Sequence, residues 1–116
     1  MKTLTDFNKE IVKKIEALGA ETKRTEFSDT HIGGRRGYHY EFLFADGYTA
    51  DVVKTLCVNP MYEFGTYGAE SDLWELALMK GQDFVYDTDI TCDVEGFQTD
   101  DDIYELCERI AALKPA

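Results

Sequence analysis

The segment from Tyr38 to Val58 restricts the fold more than any other part of this 116-residue chain. Successive side chains of a strand point to opposite faces of a sheet. The first half of this segment alternates aromatic residues with others and therefore places four aromatic rings on one face. Asp46-Gly47 then supplies the preferred pair for a two-residue type I′ turn, and Tyr48–Val58 returns as a partner strand. We therefore predict a β-hairpin whose aromatic face belongs to the core, built on Tyr38, Tyr40, Phe42 and Phe44.

Further strands are predicted on both sides of this hairpin. Met61–Tyr67 is strand-like, and Leu73–Lys80 returns with apolar residues on both faces, as a central strand does. Thr22–Phe27 is a candidate edge strand, and so is the short stretch Phe84–Tyr86. The residues between them and the C-terminal helix, 87–98, are expected to form an acidic loop, and 31–37 a glycine-rich one.

Helical periodicity marks both ends of the chain. Near the N-terminus, apolar residues recur at helical spacing, with Thr3 or Thr5 available as N-cap, Asp6 in the first turn and Gly19 as the terminating residue. The second helix begins after Thr99 as N-cap. The apolar positions are Phe7, Ile11, Ile15 and Leu18 in the first helix, and Ile103, Leu106, Cys107, Ile110 and Leu113 in the second.

This order predicts one α+β domain over residues 1–116. It is an antiparallel sheet of four to five strands, made of two hairpins, flanked by an N-terminal and a C-terminal helix in a two-layer sandwich. The N-terminal residues lack the apolar core of a signal peptide, and no apolar run is long enough to span a membrane. We therefore expect a cytoplasmic protein.

Charge is distributed unevenly along the chain. The net charge is −11, yet residues 1–45 carry 8 bases and 7 acids, whereas residues 46–116 carry 4 bases and 16 acids. From Asp83 to Glu108 there are ten acids and neither lysine nor arginine. Such a surface repels phosphate backbones, which argues against direct nucleic-acid binding and favours a partner with a basic surface.

The sequence matches the known metal-binding, cysteine-based and phosphate-binding motifs poorly. The run Asp87–Glu95 resembles a calcium loop, but Cys92 and Gln98 stand where an EF-hand needs glycine and glutamate. Three cysteines without a C-x-x-C pair are expected to act as small apolar side chains. The loop Gly33–Gly37 matches no phosphate-binding motif, which leaves a solvated loop or a basic finger that touches an acidic partner. We expect no catalytic residue, no metal and no cofactor.

The C-terminal half carries a resemblance. Tyr67-Gly68-x-x-x-x-Leu73-Trp74-Glu75, followed by Gly96-Phe97-x-Thr99 and an acidic helix, resembles small accessory proteins of bacteriophages. The resemblance implies a phage-like origin, and a phage-encoded protein is expected in the host cytoplasm. Small acidic phage proteins resemble inhibitors of host defence, such as anti-CRISPR and anti-restriction proteins, some of which imitate the charge of DNA.

The function predicted from these observations is that of a non-enzymatic binding protein, a phage-type inhibitor whose acidic surface occupies a basic nucleic-acid-binding face of a host defence protein or nuclease complex. A generic accessory domain that acts by self-association, such as a homodimer through an open sheet edge, is the alternative. A small enzyme or metal-binding protein ranks third. The predicted partner-binding residues are Asp87, Asp89, Asp93, Glu95, Asp100, Asp101, Asp102 and the aromatic anchor Tyr67.

Overall fold

Two helices and six strands form the fold in the computed structural model, which describes residues 3–59, 61, 64–86, 88–90 and 94–115. A single 3-10 turn at Ala69–Ser71 precedes the fourth strand. The elements in chain order are α1 Lys9–Ala17, β1 Glu21–Ser28, β2 Arg35–Leu43, β3 Tyr48–Cys57, β4 Trp74–Lys80, β5 Asp83–Phe84, β6 Val94–Gln98 and α2 Asp100–Ala111.

The sheet is antiparallel throughout, and neighbours in the sheet are mostly neighbours in the chain. Its order is β1-β2-β3-β4, and the far edge of β4 is shared by β5 at one end and β6 at the other. Both helices contribute to one core with the same face of the sheet. The predicted α+β class, with an antiparallel sheet and terminal flanking helices, is therefore confirmed.

The aromatic row of β2 forms the centre of that core, as predicted. Tyr40, Phe42 and Phe44 are buried. The ring of Phe7, just before α1, lies 5.2 Å from the ring of Tyr40 and 4.7 Å from that of Trp74. Tilted and edge-on aromatic contacts of this kind add to the free energy gained from burying the rings. Helix α1 is thereby fixed over β2 and β4.

The turn between β2 and β3 differs from the predicted type I′ geometry. A type I′ turn needs a positive φ at both central residues. Gly47 has a φ of 92°, but Asp46 is not among the residues with positive φ. Phe44 N–H donates to the Tyr48 carbonyl, and Gly47 N–H donates to the Phe44 carbonyl. This pattern is that of a three-residue loop closed by a glycine bulge, in which only glycine needs the left-handed conformation.

The predicted second hairpin is wrong. Within the described part of Met61–Tyr67, the only sheet pairing is an isolated bridge between Gly65 and Leu56. Strand β4 instead pairs with β3, in a register that places Leu76 opposite Val52. Both are fully buried on the aromatic face, so burial of β4 against β3 outweighs the local preference for a hairpin.

Two segments expected to be loops contain strands. Arg35, Arg36 and Gly37 belong to β2, and Val94–Gln98 forms β6 inside the expected acidic loop. A Cβ atom at position 37 would lie 1.9 Å from the Lys54 carbonyl oxygen, so glycine there reflects close strand packing. The edge strand expected at Thr22–Phe27 is confirmed as β1.

Helix α2 begins as predicted, whereas α1 does not. Thr99 forms a capping box with Asp102, in which each side chain accepts a hydrogen bond from the other residue's backbone N–H. The N-cap of α1 is Asn8, whose side chain accepts hydrogen bonds from Glu10 N–H and Ile11 N–H. Thr5 instead binds the carboxylate of Asp72, through both its N–H and its hydroxyl group.

Candidate protein-interaction surface

A bulge in β6 places Phe97 in an unusual conformation. Gln98 lies opposite Trp74 and Glu95 opposite Leu76, so Gly96 and Phe97 together face Glu75. Phe97 has a φ of 58°, a left-handed conformation that L-residues other than glycine rarely adopt. Its side chain is nevertheless 63% exposed. The fold therefore holds a bulky apolar ring in solvent at a cost in backbone strain.

Tyr67 lies against this bulge, and it is also exposed, at 62%. Its carbonyl oxygen accepts a 3.2 Å hydrogen bond from Phe97 N–H, and its own N–H donates to Glu75 Oε2 at 2.7 Å. A Cβ atom on Gly96 would lie 2.5 Å from the Tyr67 Cβ, so the two segments touch. We name Tyr67 and Phe97 the aromatic corner: two exposed rings on backbones that are joined by this hydrogen bond from Phe97 to Tyr67.

A cleft of about 440 Å³ lies next to the aromatic corner, on the face of the sheet that the helices leave open. Arg35 and Glu75 give it one charge of each sign. Its remaining lining comes from Thr55, Leu56, Cys57, Phe64, Gly65 and Thr66. Because Glu75 of this cleft also accepts a hydrogen bond from Tyr67 N–H, the cleft lies directly beside the aromatic corner.

The predicted acidic residues of α2 divide into two groups. Asp100 accepts hydrogen bonds from Trp74 Nε1 and from Asn8 N–H, and Asp102 belongs to the capping box, so both carboxylates are engaged inside the fold. Asp101 is exposed, as are Glu105 and Glu108, which follow at spacings of four and three residues. Residues so spaced share one side of a helix. We name Asp101, Glu105 and Glu108 the acidic face of α2.

The other predicted acids lie before the helix. Asp89 is exposed, and its backbone carbonyl accepts a hydrogen bond from Arg109. Glu95 is half-buried opposite Leu76 in β6. Asp87 and Asp93 fall outside the described residues. The structure thus brings Tyr67 next to β6, and β6 leads directly into the acidic face of α2, only four residues beyond Phe97.

Sequence reasoning missed Phe97 as a surface residue. The Gly96-Phe97 pair in the C-terminal motif is the only local signal, because a glycine beside an aromatic residue is compatible with a bulge. The exposure of Phe97 depends on the pairing of β6 with β4, which no local pattern specifies.

Charged and polar groups around Asp6 hold the chain near the N-terminus against the sheet. Burial opposes the ionisation of Asp6, but hydrogen bonds from Tyr40, Arg24 and the Phe7 N–H outweigh it and lower the pKa of Asp6. Burial and the bond to Asp6 raise the pKa of Tyr40. These groups stabilise one another in their ordinary ionisation states, which is the behaviour of a structural network.

The described residues contain no group of three or more His, Cys, Asp or Glu side chains placed to hold a metal ion. Cys57 is half-buried and Cys107 buried, and burial raises the pKa of the Cys107 thiol to about 12. A thiol with that pKa is almost wholly protonated at neutral pH and is a poor nucleophile.

Among the described residues, neither helix is long and apolar enough to cross a membrane.

The uncovered face of the sheet carries one further polar pair, in which His39 Nε2 contacts Asp51 Oδ1. The pair lines a cavity of about 390 Å³ together with Glu41, Leu43, Thr49, Met79, Gly81 and Gln82. Thr49 supplies a hydroxyl group in this cavity, whose described lining contains no serine or cysteine. No protein-family model, no curated protein and no solved structure matches this chain.

Proposed function

We propose that this domain is a non-enzymatic binding protein that recognises a basic protein surface through the aromatic corner and the acidic face of α2. The observation that supports this proposal most directly is Phe97, a residue with a strained backbone, hydrogen-bonded to Tyr67, whose ring is largely exposed. Backbone strain persists where the surrounding structure imposes it, and it concentrates at functional positions.

The two parts of this surface have different roles. Exposed aromatic rings on a fixed backbone bury a large apolar area with little loss of side-chain freedom, so they anchor a complex and slow its dissociation. The carboxylates of the acidic face of α2 attract a basic partner from a distance and speed its association. We propose as partner the nucleic-acid-binding face of a host defence protein or nuclease complex, consistent with a phage-type inhibitor.

The first experiment is a tagged pull-down from bacterial lysate at low and high salt, read by mass spectrometry. Specific capture of a basic nucleic-acid-binding protein, released at high salt, supports the proposal because screening weakens exposed charge pairs. Capture that high salt leaves unchanged contradicts the electrostatic part.

The anchor is tested with Phe97→Asn against Phe84→Asn. Asparagine tolerates the left-handed conformation, so Phe97→Asn removes the ring and keeps the fold. Phe84 is an exposed aromatic residue on β5, stacked on Tyr86 and outside the aromatic corner. We expect Phe97→Asn to raise the dissociation rate of the captured complex at least tenfold, as expected for an interface hot spot, and Phe84→Asn to leave it unchanged.

The acidic face is tested by neutralising it as a unit. The triple variant Asp101→Asn, Glu105→Gln, Glu108→Gln removes three exposed charges. The control Glu10→Gln, Glu16→Gln, Glu21→Gln removes three exposed charges that lie outside α2. We expect the first variant to lower the association rate and flatten its salt dependence more than the control does. Equal effects would mean that net charge alone matters.

A further inference from the structure

Strand β1 forms an open edge of the sheet. It pairs with β2 on one side, and no described residue pairs with its other side. The pairing with β2 runs without a register break from Glu21 to Ser28, and the strand contains neither proline nor glycine. Natural sheet edges are commonly protected by proline, by bulges or by charged side chains, because an open edge invites another strand; of these, β1 has only its charges.

The hydrogen bonds of the sheet identify which groups on β1 are free to pair. Asp29 N–H donates to the carbonyl of Arg35, which lies directly opposite it when the β1–β2 register is extended by one residue. Hydrogen-bonded pairs in an antiparallel ladder recur every second residue. The odd-numbered residues of β1 therefore bond to β2, and the even-numbered ones, Thr22, Arg24, Glu26 and Ser28, turn their N–H and C=O groups outward.

We propose that β1 pairs antiparallel with β1 of a second copy of this chain, about a two-fold axis at Thr25. In this register Arg24 lies opposite Glu26 of the other copy, twice by symmetry, in hydrogen-bonded pairs. Lys23 lies opposite the ring of Phe27. Opposite charges directly across a ladder attract, and here they would extend the ion pairs that Arg24 already makes with Asp6 and Glu26 of its own chain. Lys23 would add a second cation beside the Phe27 ring, which Arg35 already contacts.

The neighbouring registers are disfavoured by charge. Moving the axis to Arg24 places two arginines face to face, and moving it to Glu26 places two glutamates face to face; like charges directly opposite are destabilising. The edge also carries two acids and two bases, so it is neutral in a chain of net charge −11. Two copies therefore meet where their mutual repulsion is weakest.

The proposal does not depend on the function proposed above. Strand β1 and the aromatic corner lie at opposite edges of the sheet, so a β1–β1 dimer leaves both aromatic corners accessible. A dimer that fails to form would not change how one copy binds a partner.

Site-specific cross-linking tests the register. In Thr25→Cys the two new thiols face each other across the axis, and we expect rapid disulfide formation under mild oxidation. Glu21→Cys is the control, because residue 21 lies on the same face of the strand but roughly 27 Å from its copy in this register. Wild-type protein controls for the native cysteines. Equal cross-linking of the two variants would overturn the register.

Sedimentation tests the dimer itself. We expect Glu26→Lys, which faces Arg24 of the other copy, to raise the dimer dissociation constant about tenfold, with circular dichroism verifying the fold. Glu21→Lys, which faces Asp29 of the other copy in this register, should not raise the constant. A wild-type chain that stays monomeric at millimolar concentration overturns the proposal. It does so even if the edge of β1 proves to bind a strand of another protein.

Discussion

The carboxylate of Asp100 accepts a 2.7 Å hydrogen bond from the indole Nε1 of Trp74. Trp74 is fully buried at the centre of the core, and its ring contacts both Phe7 and Tyr40. The second oxygen of Asp100 accepts a 2.8 Å hydrogen bond from Asn8 N–H, at the start of α1. One carboxylate thus joins the first turn of α2 to β4 and to the N-cap of α1.

We expect Asp100→Ala to lower the free energy of unfolding by about 1–3 kcal/mol, because it leaves the buried indole N–H without its acceptor. Asp100→Asn retains an acceptor oxygen and should recover part of the loss. Asp101→Ala, at the exposed neighbouring position, should change the unfolding free energy by less than about 0.5 kcal/mol. Denaturant unfolding of the three variants gives these values, and an equally large effect of Asp101→Ala would contradict this assignment.

Lys54 and Asp72 form a second tie to the N-terminal segment. Lys54 is 1% exposed, and its ammonium group donates to the Thr5 carbonyl and to Asp72 Oδ1, 4.4 Å from the centre of the Trp74 ring. Lys54→Met preserves the length of the side chain but removes these contacts. We expect a loss of about 1–3 kcal/mol in the free energy of unfolding.

A double-mutant cycle separates the pair from its surroundings. If the ammonium acts largely through Asp72, then Lys54→Met and Asp72→Asn together cost less than the sum of the single changes, with a coupling of at least about 0.5 kcal/mol. Strict additivity would show that the Thr5 carbonyl and the Trp74 ring account for the effect of Lys54.

Stability should fall in acid through Asp6 and Asp72. For each carboxyl group, burial opposes ionisation, but hydrogen bonds from Tyr40 and Arg24 to Asp6, and from Thr5 and Lys54 to Asp72, lower the pKa below the ordinary value of 3.8. The unfolded chain then binds protons first as the pH falls. The contribution of these groups is complete above pH 3.8 and is lost as the pH drops through the lower pKa of the folded state.

The measurement is the free energy of unfolding between neutral pH and strong acid. The double variant Asp6→Asn, Asp72→Asn should be less stable than wild type at neutral pH and should lose less stability below pH 3.8. Asp101→Asn is the matched control and should follow the wild-type slope. Parallel curves for wild type and the double variant would contradict the prediction.

Gly37 should tolerate no side chain. Its φ is 129°, and a Cβ atom would lie 1.9 Å from the backbone oxygen of Lys54 on β3. We expect Gly37→Ala to cost roughly 3–5 kcal/mol, since two central strands must separate. Gly19→Ala is the control, because Gly19 also has a positive φ but has no atom within 4 Å of the added Cβ; we expect it to cost about 1–2 kcal/mol. Thermal unfolding compares the two.

Local patterns predicted the parts of this fold that local chemistry determines. The alternating rings of β2, the N-cap Thr99 and the left-handed Gly19 each depend on residues a few positions apart, and each was correct. The α1 start was wrong because Thr5 and Asp6 are taken by Asp72 and Arg24, far along the chain.

The candidate site was less predictable for the same reason. Tyr67 was predicted as an anchor because tyrosine is common at protein interfaces, and its ring is exposed at the surface of the structure. The role of Asp100 could not be distinguished from that of Asp101 in a run of three aspartates, because the difference lies in the position of the Trp74 indole. The position of Phe97 required the pairing of β6 with β4.

The hydrogen bonds of Asp100 also affect the order in which the protein can be completed during synthesis. Strands β1 to β4 each pair with a neighbour in the chain. All four have left the ribosome once residue 80 has emerged, because β4 ends there. The indole of Trp74 still lacks its acceptor, and the Asn8 N–H its carboxylate, until twenty more residues have emerged. We therefore expect α1 to cover only part of the aromatic face in a nascent chain, and α2 to complete the core when it emerges.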